Sequence, residues 1–221
     1  MTQAPSERTR VHRHPERGDH DPATIHAVLD EALLCTVSWV DEHGAPRALP
    51  TIQARIDDTL YLHGSRGARA WKSAAAGTEL CVVATVVDEL VLARSQFSHS
   101  MNYRSVVLFG RTREVTDPEE LYAGARAITG HVLPGRELDA REPDDDEWRE
   151  TLLLAMPIDE ASAKVRTGPP GDDERDLALD VWAGTVPVRT VVGPAAPAPD
   201  LRASIGVPAY VPSSGEELPR P

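Results

Sequence analysis

The 221 residues include 35 Asp and Glu against 23 Lys and Arg, a formal net charge of −12, and 41% of them are hydrophobic. So acidic an average field repels nucleic acid and anionic membranes, and no basic patch large enough to overturn it is present; the apolar content excludes a disordered chain. No run approaches the roughly 18 apolar residues of a membrane span, and Met1 to Asp21 lacks the apolar stretch of a secretion signal, so a cytoplasmic protein is expected.

Asp21-Pro22-Ala23-Thr24 reads as an N-cap followed by proline at the first helical position, where a missing N–H costs nothing. Ile25, Val28, Leu29, Ala32 and Leu33 then recur at helical spacing and form a buried stripe. Short β-rich runs follow as an antiparallel meander: Cys35 to Val40, Arg47 to Ile56 and Leu60 to His63, with turns at Asp41-Glu42-His43-Gly44 and Asp57-Asp58. Ala68 to Ala76 is a helical interruption before Gly77, and strands resume at Leu80 to Val87, Leu90 to Ala93 and Ser105 to Glu114.

Six strands around one inserted helix predict a mainly β fold with flanking α-helices, a six-stranded antiparallel barrel. Asp117-Pro118-Glu119-Glu120 repeats the cap-then-proline device and predicts a helix to about Val132. The acidic stretch Glu142 to Glu147 reads as a solvated linker, and Ala161 to Arg166 as a further strand. The expected organisation is a flexible segment 1–20, a barrel domain 21–193 and a proline-rich tail 194–221.

The residues that suggest chemistry lie in Leu60-Tyr61-Leu62-His63-Gly64-Ser65-Arg66-Gly67-Ala68-Arg69-Ala70-Trp71-Lys72, which joins a strand to a helix through glycines and a serine and adds three cations. Glycines let a backbone approach an anion, a serine hydroxyl donates to it, and arginine forks match phosphate oxygens. The plainer reading is a solvated helix face, yet in so acidic a chain a compact cationic group favours an anionic ligand. Cys35 and Cys81 sit in apolar runs as small hydrophobes, His12 and His14 lack further ligands at metal-site spacing, and no GxSxG or Walker pattern occurs.

The strand Arg47 to Ile56, the Leu60 to Lys72 turn, Asn102-Tyr103-Arg104-Ser105-Val106-Val107-Leu108-Phe109-Gly110 and Trp182-Ala183-Gly184 resemble successive motifs of the pyridoxamine 5′-phosphate oxidase-like split β-barrel proteins, over roughly residues 10 to 193. The likeness is to the flavin-nucleotide-binding branch related to nitroimidazole-resistance proteins. It implies a homodimer holding FMN at the subunit interface and a flavin-dependent oxidoreductase acting on a small molecule. The strand of Arg47, Leu49, Pro50, Thr51 and Ile52 would run along the flavin with Arg47 reaching toward its phosphate, Ser65, Arg66, Arg69 and Lys72 would hold that phosphate, and His63 would face the cofactor. Ser105 would reach the cofactor across the dimer, and Trp182 would stack at the flavin edge. The acidic, proline-rich end departs from the basic end of the vitamin-B6 oxidases, so that activity is not expected. Two rival readings stay open: a non-catalytic flavin or haem binding, storage or sensing protein, with His63 or His131 as the axial ligand, and a preference for the deazaflavin F420.

Overall fold

The computed structural model describes residues 4–220; the first three residues of the segment read as flexible, and Pro221 of the tail, lie outside the described residues. Along the chain the elements are β1 (Gly18–Asp19), α1 (Pro22–Glu31), β2 (Cys35–Val40), β3 (Pro46–Thr51), β4 (Gln53–Ile56), β5 (Thr59–Ser65), α2 (Arg69–Ala75) and β6 (Glu79–Leu92). They continue as β7 (Ser100–Arg111), β8 (Arg113–Glu114), α3 (Pro118–Val132), α4 (Asp145–Glu150), β9 (Thr151–Pro157), β10 (Glu160–Arg166) and β11 (Gly184–Pro187). Among the described residues no helix is long and apolar enough to cross a membrane.

Both long helices start as the chemistry of their first residues dictates. Asp21 accepts from the Ala23 N–H at 3.1 Å ahead of Pro22, and Asp117 accepts from the Glu120 N–H at 3.0 Å ahead of Pro118.

The strands form two antiparallel sheets. The larger runs β1-β10-β7-β6-β2-β3, with β11 also on β6, and the smaller runs β4-β5-β9-β8. The chain passes between them twice through single residues, Ile52 from β3 to β4 and Thr112 from β7 to β8. Each strand expected as one piece, 47–56 and 105–114, is therefore cut in two. In place of a six-stranded barrel there are two facing sheets linked at these corners, a split arrangement without closure. The expected pair 80–87 and 90–93 is one strand whose register shifts at Asp88, a bulge rather than a turn.

Leu60, Leu62, Leu80, Val82, Val106, Leu108, Leu152, Leu154 and Met156 fill the space between the sheets. Tyr61, Leu153, Ala155, Ala54 and Ile128 form a second core on the other face of the small sheet, beneath α3. The small sheet is thus covered on both sides, and Leu152 to Met156 are all buried. Burial of each such leucine is worth about 1.5–3 kcal/mol.

At the N-terminus, Thr9 is buried and Arg8 pairs with Glu79 at 2.9 Å and also with Glu160, which seats this segment against the large sheet. In the tail, the Val192 N–H donates to Glu216 and the Leu218 N–H to Thr190, closing a loop between residues 192 and 216.

Candidate functional site

The Ser65-to-Lys72 turn is built from its own backbone. The Ala68 N–H donates to the Ser65 carbonyl at 3.0 Å, the Gly67 N–H to Ser65 Oγ at 3.3 Å, and the Arg66 N–H to the Glu150 carbonyl at 2.8 Å. Trp71 and Ala74 point α2 into the core, which leaves Arg69 and Lys72 exposed on its outer side, where neither makes an ion pair among the described residues. Arg66 is already engaged, donating to Glu114 at 2.7 Å. Gly64 answers to packing rather than to an anion, because a Cβ there would lie 1.8 Å from the Trp71 indole nitrogen.

Arg47 to Thr51 form an edge strand: β2 pairs one side, and the other side keeps free backbone groups. Leu49, Pro50 and Thr51 follow Arg47 along this edge, and Ile52 is the corner residue. Arg47 itself donates through Nε to Asp41 at 2.8 Å. The Ala45 N–H, and then Arg47, hold the Asp41 carboxyl down at about 2. Arg47 lines a cleft with Arg8, Trp39 and Phe109, whose lining does not include the Ser65-to-Lys72 turn.

His63 lies on β5 two residues before Ser65, and its side chain enters a cleft that Arg69 and Lys72 do not line. Side chains alternate along β5, so His63 shares the outer face with Tyr61 rather than the inner face of Leu60 and Leu62. There it enters a cleft of about 680 Å³ walled by Ala125, Ile128, Trp148 and Leu153, with Arg136 and Arg141 also lining it. Its Nδ1 is buried without a hydrogen-bond partner, and burial lowers the ring's pKa, so the imidazole is neutral at neutral pH. His131, the other candidate axial ligand, is spoken for: Nε2 lies 2.9 Å from the Ala32 carbonyl and 3.4 Å from Gln53 Nε2.

Ser105 lies mid-sheet, opposite Thr85 on β6 and Lys164 on β10. Trp182 is 66% exposed and precedes β11, which pairs with the far end of β6. At about 3.3 Å per residue, Glu89 lies roughly 30 Å along β6 from Glu79, the end next to α2. Within one chain, then, Ser65, Arg69 and Lys72 stand together with His63 two residues away on β5, whereas Arg47, Ser105 and Trp182 lie on other elements.

Arg136, Arg141 and Trp148 flank the acidic stretch Glu142 to Glu147, which read as a solvated linker. There Asp144 accepts from the Asp146 and Glu147 N–H groups, and the Glu147 side chain accepts from the Asp144 N–H at 2.9 Å, a capping box that starts α4. The Asp-x-x-Glu spacing at Asp144 and Glu147 was the available signal.

The sequence profile of the pyridoxamine 5′-phosphate oxidase family matches residues 21–165. The chain belongs to this family. None of the curated proteins matches it. Among solved structures, this family member is similar to the flavocytochrome Anf3 from Azotobacter vinelandii at 35% identity and a TM-score of 0.86, over 95% of this chain and 97% of that one. The FAD and haem binding protein from Mycobacterium smegmatis is 34% identical with a TM-score of 0.82, over 88% of this chain and 95% of that one. A protein from Bacteroides thetaiotaomicron assigned to 5-nitroimidazole antibiotic resistance shares the fold at 23% identity and a TM-score of 0.57, over 67% and 86%.

Proposed function

We propose that the chain is a redox protein that binds a flavin nucleotide and a haem, with His63 as the axial ligand of the haem iron. The observation that carries this reading is the His63 ring: neutral, partly buried, with a buried Nδ1 that has no partner, lining a cleft of about 680 Å³. An imidazole in that state is a metal ligand in waiting, and the cleft falls in the size range of cofactor sites. The residues fit the group. Ala125, Ile128, Leu153 and Trp148 offer apolar and aromatic walls to a macrocycle, and Arg136 and Arg141, paired here with Asp139 and Glu147 on the same lining, would turn guanidinium donors to its carboxylates. The similar proteins support the reading, since one is a flavocytochrome and another binds FAD and haem.

When bound, the flavin supplies two-electron chemistry and the haem iron one-electron transfer. The protein's part is placement. His63 would hold the iron, and Trp148 and Leu153, which line the same cleft, would shield it from water. Ser65, Arg69 and Lys72 hold the flavin phosphate, and the free edge of β3 offers N–H and C=O groups to the ring. Because FMN and FAD carry the same ribityl phosphate, this set serves either; the Mycobacterium smegmatis relative favours FAD over the FMN expected from sequence. A homodimer would complete the flavin site, with Ser105 and Trp182 supplied by the second copy. The reaction class that follows is oxidoreduction of a small molecule.

The test is spectroscopic. Purified protein titrated with haemin and with FAD or FMN is expected to show a Soret band and a flavin band. His63→Ala should lose the first and keep the second, and Arg69→Ala the reverse. A wild-type protein that takes up no haemin would sink the haem assignment, a deazaflavin spectrum would replace the flavin by F420, and unchanged flavin affinity in Arg69→Ala would move the phosphate elsewhere.

A further inference from the structure

The proline-rich tail meets the rim of the His63 cleft through one side chain. Tyr210 Oη accepts from Arg136 Nη1 at 3.0 Å and donates to Asp139 Oδ2 at 2.7 Å, and Arg136 Nη1 lies 3.1 Å from the same Asp139 oxygen. Arg136 and Asp139 both line the cleft. The three groups form a closed triangle in which each polar atom has a defined role.

The loop is shaped to receive the tyrosine. Gly135 holds a left-handed φ of +95°, which strains any residue with a side chain, and a Cβ there would lie 3.0 Å from Cβ and Cγ of Tyr210. Two separate constraints therefore meet at one glycine, the turn and the room for a ring. Tyr210 itself sits inside the loop closed by the Val192 to Glu216 and Leu218 to Thr190 backbone bonds, so it is not carried on a free end. Of the causes that raise the Arg136 pKa, the bond to Tyr210 is the largest.

We infer that Tyr210 is a positioning residue that holds Arg136 and Asp139 at the mouth of the His63 cleft, making the C-terminal tail part of the cofactor site. The tail becomes a strap: it touches no reacting atom, and it sets where the rim cations stand. Arg136 held in place presents its guanidinium to a carboxylate entering the cleft; released, it must be ordered anew at each binding event. The similarity to the flavocytochrome covers 95% of this chain, so it takes in most of the segment beyond residue 165 and is not confined to the sheets. This inference rests on the haem reading for its ligand, though not for its mechanical content.

The experiment pairs two readouts on full-length protein, with Tyr210→Phe, Arg136→Ala and the double variant. The phenylalanine keeps the ring against Gly135 and removes only the hydroxyl. Amide hydrogen exchange over residues 135–140 is expected to quicken about three- to tenfold in Tyr210→Phe without haem, and haemin transfer to an apo-globin acceptor to quicken by a similar factor. In the Arg136→Ala background the tyrosine change should add nothing to haemin loss, since both act through one group. Unchanged exchange would overturn the strap. Faster exchange with unchanged haemin loss would overturn the positioning role, and so would additive effects in the double variant. A wild-type protein that binds no haemin would fail the haem reading, and the exchange measurement would still decide whether the hydroxyl holds the rim.

Discussion

His63 and His131 are both desolvated histidines, and their hydrogen bonding differs. His131 is buried and His63 partly so, and desolvation lowers the pKa of each, so titration does not separate them. Hydrogen-bond accounting does. His131 contacts the Ala32 carbonyl, which Gln53 Nε2 also reaches at 2.7 Å, so it stitches the end of α1 to α3 and β4. His63 lines a cleft and leaves its buried Nδ1 without a partner. An unsatisfied buried polar group costs about 1–3 kcal/mol, and one kept at a cleft marks a site where a ligand offsets that cost.

That contrast breaks most sharply by exchanging the losses. His63→Ala is expected to lower haemin affinity on the order of a hundredfold, since loss of a ligating group exceeds the 10- to 100-fold effect of an outer partner, while urea unfolding of the apo-protein changes by less than about 1 kcal/mol. His131→Leu should do the opposite: haemin affinity near that of wild type, and stability reduced by about 1–2 kcal/mol because the α1-to-α3 stitch is gone. If His131→Leu abolished the Soret band and His63→Ala left it intact, the assignment would be inverted.

The elements with strong local chemistry were legible in the sequence. Asp117-Pro118 marks the start of α3, and the helix ends at Val132, the residue expected from spacing. What escaped had no local signature. β9 is buried on both faces, so Leu152 to Met156 show no alternation of apolar and polar residues and read as featureless. Ile52 and Thr112, where the chain changes sheets, look like any strand interior, because a handover is a property of the partners and not of the residue. The anion-loop composition was visible at Ser65 to Lys72. The facing of His63 was not, because it depends on which side of the small sheet α3 covers, and that is settled by packing of Tyr61, Leu153 and Ile128. Gly64 shows the hazard in reverse, a glycine read as room for an anion that makes room for Trp71.

The smallest expected effect is also the one that tests the shared part of the comparison. Both rings are harder to protonate folded than unfolded, where a histidine titrates near pH 6.5. As pH falls below about 6.5 the unfolded chain binds more protons than the native one, so stability declines, and the decline ends once pH passes the lowered native values. Each ring contributes at most about 1.4 kcal/mol per pH unit across that window. The carboxyls of Asp41, Glu147 and Glu160, held at about 2 by backbone N–H groups and arginines, act at lower pH, so the two classes separate. Urea midpoints of apo-protein between pH 7.5 and 5.5 should therefore fall in wild type, fall less in His131→Leu, and flatten when His63→Ala is added. A flat wild-type profile would mean that both rings protonate freely in the fold, and the bare nitrogen of His63 would then face water rather than a site prepared for a metal.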